Sequence, residues 1–118
     1  GNGLQTRSYL YIDDCVDATL ELFNSKFRGP INIGSEEQVS INQMIDLIEE
    51  ISNYKVEREY NINMPIGVIG RSSNNEKIKN ELDWEPNYNL KKGLEKTYKW
   101  IYDMIEKNKN SNSIFTIS

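Results

Sequence analysis

SYLYIDDCVDATLELFNSKFRGPINIGS, residues 8–35, is the stretch on which the fold of this chain turns. Ser8 to Ile12 is aromatic and aliphatic enough for a short strand, and Asp13 or Asp14 then offers a carboxylate to cap a helix. Val16, Leu20 and Phe23 recur at i, i+4 and i+7, the spacing of one helical face. Phe27-Arg28-Gly29-Pro30 ends that helix and releases a second strand, Ile31 to Ile33, closed by Gly34-Ser35. Strand, helix, strand in this order predicts a parallel crossover. The chain therefore reads as α/β, with short parallel strands and helices packed against them.

Further along, Ser40 followed by Gln43 is a capping-box signature, and Ile41, Met44, Ile45, Ile48 and Ile51 keep one face of the helix it opens. Glu49 and Glu50 fall on the side expected to meet water. Val56 to Ile62 alternates, with Val56, Tyr60 and Ile62 on one side and Lys55, Glu57 and Glu59 on the other, as a half-exposed strand does, and Arg58 lies on that strand. Asn61 to Gly70 dissolves into a loop. Ser73 or Asn74 can cap a short helix through Leu82, stopped before Pro86. Asn89 caps the longest helix, whose stripe is Leu90, Leu94, Tyr98, Ile101 and Ile105. Residues 1–107 form one unit, and 108–118 is a polar tail expected to fray.

With 118 residues the chain suffices for one domain and a modest core. Fourteen basic against eighteen acidic residues give a net charge of −4 and an isoelectric point near 4.9, which argues against holding nucleic acid or anionic lipid by bulk charge. Cys15 is the single cysteine and histidine is absent, so disulfides, Cys/His metal sites and His-dependent triads are excluded within the chain. No apolar run reaches the roughly 20 residues of a membrane span. The composition reads as that of a soluble, cytoplasmic protein, and the opening at Gly1 without Met as the interior of something longer.

Neither Gly1-Asn2-Gly3 nor Gly67-Val68-Ile69-Gly70 follows a strand and opens a helix, so both read as turns rather than dinucleotide cradles. Tyr88 and Lys92 have the Tyr-x-x-x-Lys spacing, but the pair straddles the Asn89 cap and need not share a face. Trp84 and Trp100 read as core or interface anchors. Of only four arginines, Arg7 stands just before the first strand and Arg71 just after a glycine-containing loop. Element ends of this kind gather ligand groups, although from spacing alone surface solvation is the better explanation.

The run Gly1-Asn2-Gly3-Leu4-Gln5-Thr6-Arg7-Ser8-Tyr9-Leu10-Tyr11-Ile12-Asp13-Asp14 resembles the segment that opens the C-terminal, substrate-binding part of extended short-chain dehydrogenases/reductases, the NAD-dependent nucleotide-sugar epimerases and dehydratases. Pro30-Ile31-Asn32-Ile33-Gly34-Ser35, Gly70-Arg71-Ser72-Ser73-Asn74 and Leu82-Asp83-Trp84-Glu85-Pro86 resemble later segments in family order. Within the family the wording is nearest the branch that acts on GDP-mannose as a 3,5-epimerase. Asp83 departs from a usual glycine, and an asparagine stands where Asp is frequent.

The resemblance implies an extended Rossmann-type epimerase of which this chain is the last third. It implies that Gln5, Thr6 and Arg7 line the nucleotide-sugar site and that Arg71 reaches the pyrophosphate. It further implies a homodimeric isomerase acting on a GDP-mannose type of substrate, in which NAD transiently oxidises a ring carbon and so acidifies the neighbouring C–H bonds. NAD and the catalytic residues then belong to an N-terminal domain absent from the chain, so no catalytic, cofactor or metal residue is expected here, and the 118 residues alone are expected to be inactive. Some apolar surface, including Leu10, Ile12, Val16 and Leu20, is expected to face that domain. A non-catalytic nucleotide-sugar-binding or scaffold domain of the same fold is the alternative.

Overall fold

The computed structural model describes residues 1–65 and 67–108. Three short strands form one sheet in the order β2-β1-β3: β1 (Thr6–Ser8) is central, β2 (Gln38–Ser40) lies antiparallel to it, and β3 (Gly70–Arg71) lies parallel. The helices are α1 (Ile12–Asn24), α2 (Ile41–Ser52), α3 (Glu76–Leu82) and α4 (Leu90–Lys107).

The α/β character is as expected, but the strands lie elsewhere. β1 ends at Ser8, where the sequence placed a strand to begin, and Tyr9–Tyr11 becomes the link into α1. Ile31 and Ile33 do not form the second strand. They sit half-buried against the core of Ala18, Ile78 and Trp84, and β1 takes Gln38–Ser40 as its antiparallel neighbour instead. The predicted parallel crossover from β1 through α1 is thereby replaced by a longer return. The one parallel pair joins segments far apart in sequence, with Thr6 opposite Gly70 and Arg7 opposite Arg71. Val56–Ile62 is no strand either, since no described segment pairs with it.

Helix starts follow local chemistry where the cap is local. Ser40 Oγ accepts from the Gln43 N–H at 3.1 Å while Gln43 Oε1 accepts from the Ser40 N–H at 2.8 Å, a complete capping box. Asn89 Oδ1 accepts from the Lys92 N–H at 3.0 Å at the start of α4. Asp13 and Asp14 do not cap α1, whose N-cap is Tyr11 with no side-chain hydrogen bond. Asp14 is instead buried, and its two carboxylate oxygens each accept a backbone N–H at 3.0 Å, from Asn87 and from Tyr88. It caps a distant turn rather than its own helix.

Two charged residues also change roles. Glu49, expected in water, is buried. Its carboxylate accepts from Lys55 Nζ (2.9 Å), the Val56 N–H (3.1 Å) and Arg58 Nη2 (2.9 Å). Arg58 also donates to Asp46 at 2.7 Å, so it staples the 55–60 segment to α2 rather than standing free on an exposed strand. These partners, led by the Lys55 hydrogen bond and followed by the Val56 N–H, hold the Glu49 carboxyl at about 2 against an ordinary 4.5, over the opposing effect of burial.

The buried apolar residues among those described are Ala18, Ile78, Trp84 and Leu90, with Leu10 and Leu82 packed partly against them. α1 turns its small Ala18 inward and leaves Ile12, Val16, Leu20 and Phe23 exposed, Leu20 at 54% and Phe23 at 83%. Trp84 is in the core, whereas Trp100 is 59% exposed on α4.

Candidate functional site

The register of β3 on β1 brings Arg7 and Arg71 side by side although 64 positions separate them. Gly70 fits closely under its neighbours in that register: a Cβ there would stand 2.9 Å from Thr6 Oγ1 and 3.0 Å from Gln38 Nε2 and would push those side chains aside. Both arginines line a cavity of about 530 Å³, within the range of small-molecule sites. Its walls are the end of β1 at Ser8, the extended segment Ile31–Ser35, and the loop Arg71–Ser73. Gly34 lets the last two walls meet, because a Cβ on it would come within 2.6 Å of the Ser73 side chain.

Neither guanidinium has a carboxylate partner among the described residues. Arg7 Nη1 donates to the carbonyl of Thr6 at 2.6 Å, and Arg71 is exposed, its side chain without a hydrogen bond among the described residues. Like charges set opposite each other on neighbouring strands are unfavourable. In a chain with eighteen acidic side chains, two arginines on one cavity, neither paired with a carboxylate among the described residues, together with serines and Asn32 in the same lining, form a local site for an anion. Guanidinium suits a phosphate or diphosphate because its planar fork donates two parallel hydrogen bonds.

The other residues implied by the resemblance are placed differently. Thr6 turns toward Gly70 and β2, and Gln5 precedes β1 with its carbonyl accepting the Ile41 N–H at 3.2 Å. Neither lines the cavity, and the Gln5 side-chain oxygen is buried without a hydrogen-bond partner. Ser8, Asn32 and the serines 35, 72 and 73 line it without having been singled out as site residues, although each lies in a segment that resembles the family.

A second groove of similar volume runs between Tyr9–Ile12 and α4. It is apolar, with Lys96 at its rim over the rings of Tyr11 and Tyr88 and its Nζ donating to Tyr88 Oη at 2.9 Å. Tyr88 is thus engaged by Lys96 rather than by Lys92. Among the described residues no group of His, Cys, Asp and Glu is arranged to hold a metal. Gly67–Gly70 leads into β3 rather than into a helix, so these residues do not fit a dinucleotide.

No protein-family model matches the chain. Its sequence is 48% identical over 113 residues to GDP-mannose 3,5-epimerase of Arabidopsis thaliana, covering 96% of this chain and 30% of that protein. The chain is homologous to part of GDP-mannose 3,5-epimerase. The epimerase homology recurs in Oryza sativa subsp. indica, at 48% over 109 residues, 92% of this chain and 29% of the relative. The chain thus spans about a third of the curated relatives it matches.

Solved structures agree with the homology. UDP-glucose 4-epimerase of Thermotoga maritima superposes with a TM-score of 0.83 at 30% identity, over 89% of this chain and 34% of that one. UDP-glucuronic acid 4-epimerase of Bacillus cereus, solved with UDP-glucuronic acid and NAD, gives 0.80 at 32% identity, over 88% of this chain and 34% of that one. The α/β unit described here is the fold of one third of such Rossmann-type epimerases.

Proposed function

We propose that this chain is the nucleotide-sugar-binding portion of a longer NAD-dependent epimerase whose substrate is of the GDP-mannose type. Residues 1–107 form that portion, NAD and the catalytic groups reside in the part of the enzyme outside this chain, and the 118 residues alone do not turn over substrate. The whole enzyme is a cytoplasmic homodimer. No described helix is long and apolar enough to cross a membrane. The observation that carries the reading is the pair Arg7 and Arg71, cross-strand neighbours on one cavity with no acidic partner among the described residues.

In this reading the two forks close on the diphosphate from opposite sides of the β1–β3 seam, while Gln5 and Thr6 at the head of β1 line the approach of the nucleotide sugar. Calorimetric titration of GDP-mannose into the full-length protein tests it. Arg7→Ala and Arg71→Ala should each weaken affinity by about tenfold or more, roughly 1.4 kcal/mol per decade. Lysine at either position should rescue only part of the loss, since it keeps the charge without the planar fork. Arg28, which donates to the carbonyls of Ser25 and Phe27 away from the cavity, is the control. Affinities equal to the parent in both alanine variants refute the clamp.

A further inference from the structure

We propose that Asn75 is a positioning residue that sets Arg71 at the anion site by bolting its loop to the opposite cavity wall, an inference that rests on the reading of the cavity given above. Asn75 is the N-cap of α3, and an asparagine there ordinarily accepts a hydrogen bond from an N–H of its own first turn. Here it makes no such bond. Its Nδ2 donates across the chain to the carbonyl of Gly34 at 2.7 Å, and its Oδ1 accepts from Ser73 Oγ at 2.6 Å. Its backbone N–H donates to Glu36 Oε1 at 2.8 Å. The first turn of α3 is served by a neighbour instead, Asn74 Oδ1 accepting from the Glu76 N–H at 3.0 Å.

The helix therefore gives up a local cap so that a buried amide can join two segments about forty residues apart. Both lead directly into cavity walls: Gly34 and Ser73 face it from either side, and Arg71 is two residues before Ser73. The Ser73 N–H, donating to the carbonyl of Ser35 at 3.2 Å, adds a second tie between the same walls. β3 itself is only two residues long, so its pairing with β1 gives Arg71 little support beyond the backbone. The Asn75 latch limits how far the Arg71 loop can swing away, and binding then costs less ordering of that loop.

The test is calorimetric titration of GDP into the full-length protein and five variants: Asn75→Ala, Glu36→Ala and Arg71→Ala alone, and each of the first two combined with Arg71→Ala. Asn75→Ala should weaken GDP about five- to tenfold, and adding it to Arg71→Ala should change affinity by less than about twofold, because a residue acting through Arg71 has nothing left to position. Glu36→Ala, on an exposed side chain outside the cavity, removes the partner of the Asn75 N–H. It should give about a two- to threefold loss only while Arg71 is present. It keeps the test open should Asn75→Ala fold poorly. Parental affinity in both Asn75→Ala and Glu36→Ala, or losses that multiply independently of Arg71, overturn the proposal. If Arg71→Ala alone binds GDP as tightly as the parent, the reading of the cavity falls and the latch with it. A loss in Arg71→Ala but none in Asn75→Ala removes the latch alone.

Discussion

A buried carboxylate held by three donors ties the stability of this chain to pH. Glu49 stays ionised in the folded chain down to about 2, whereas the unfolded chain takes up a proton near 4.5. The stability it contributes is therefore fully present above about pH 4.5 and is lost as pH falls from there toward about 2. Urea midpoints measured at about pH 6 and about pH 3 should fall markedly in the parent chain and less in Glu49→Gln, which cannot lose a charge over that window. Equal acid sensitivity in the two proteins removes Glu49 from the explanation. Arg58→Ala should lower the midpoint at neutral pH, because it frees the 55–60 segment from Asp46 and leaves Glu49 with only part of its partners. Periodicity turns Glu49 toward water and puts Arg58 on a half-exposed strand, because it describes which way a side chain leaves its element and not what later folds over it.

Among the elements, the two helix starts made by neighbouring residues are separable from the turn held at a distance by Asp14. Ser40→Ala removes half of a complete capping box and should cost about 1 kcal/mol in denaturant unfolding. Asp14→Ala should cost more, about 3 kcal/mol, because it strands the N–H groups of Asn87 and Tyr88 in a buried place, at about 1–3 kcal/mol for each unmet donor. If Asp14→Ala proves milder than Ser40→Ala, the distant cap has been overvalued. The capping box and the Asn89 cap were legible in the sequence because all their parts lie within four residues. The strands were not, because Ile31–Ile33 has strand chemistry but no described ladder partner, whereas Gln38–Ser40 and Gly70–Arg71 have partners and little strand chemistry. The two arginines could be singled out from their places at element ends. That they meet depends on the β1–β3 register, which no local pattern reports.

The whole molecule carries a face that its own core does not use. Ile12, Val16, Leu20 and Phe23 run along α1 in the open, next to an apolar groove against α4. If the rest of the longer enzyme covers that face, Leu20→Ser should cost the isolated 118-residue chain less than about 0.5 kcal/mol. In the full-length protein it should cost about 2 kcal/mol, the transfer free energy of one buried leucine. Paired urea titrations decide this, and equal small costs in both proteins mean that the stripe remains in solvent.

The pairing of Arg7 with Arg71 has a consequence for how the chain reaches its folded state. A contact spanning 64 positions closes a loop whose entropic cost is about 4 kcal/mol from its length alone, and it adds two like charges at the point of closure. On the proposed reading, an anion seated between them would act as a reversible cross-link, strongest where the polypeptide has most freedom to lose. It binds only the closed chain, so at a hundredfold excess over its dissociation constant it would raise global stability by about 2.7 kcal/mol. If that anion is the diphosphate of the proposed nucleotide sugar, the sugar would double as a folding ligand, and a cell starved of it would hold this protein in a more protease-sensitive population.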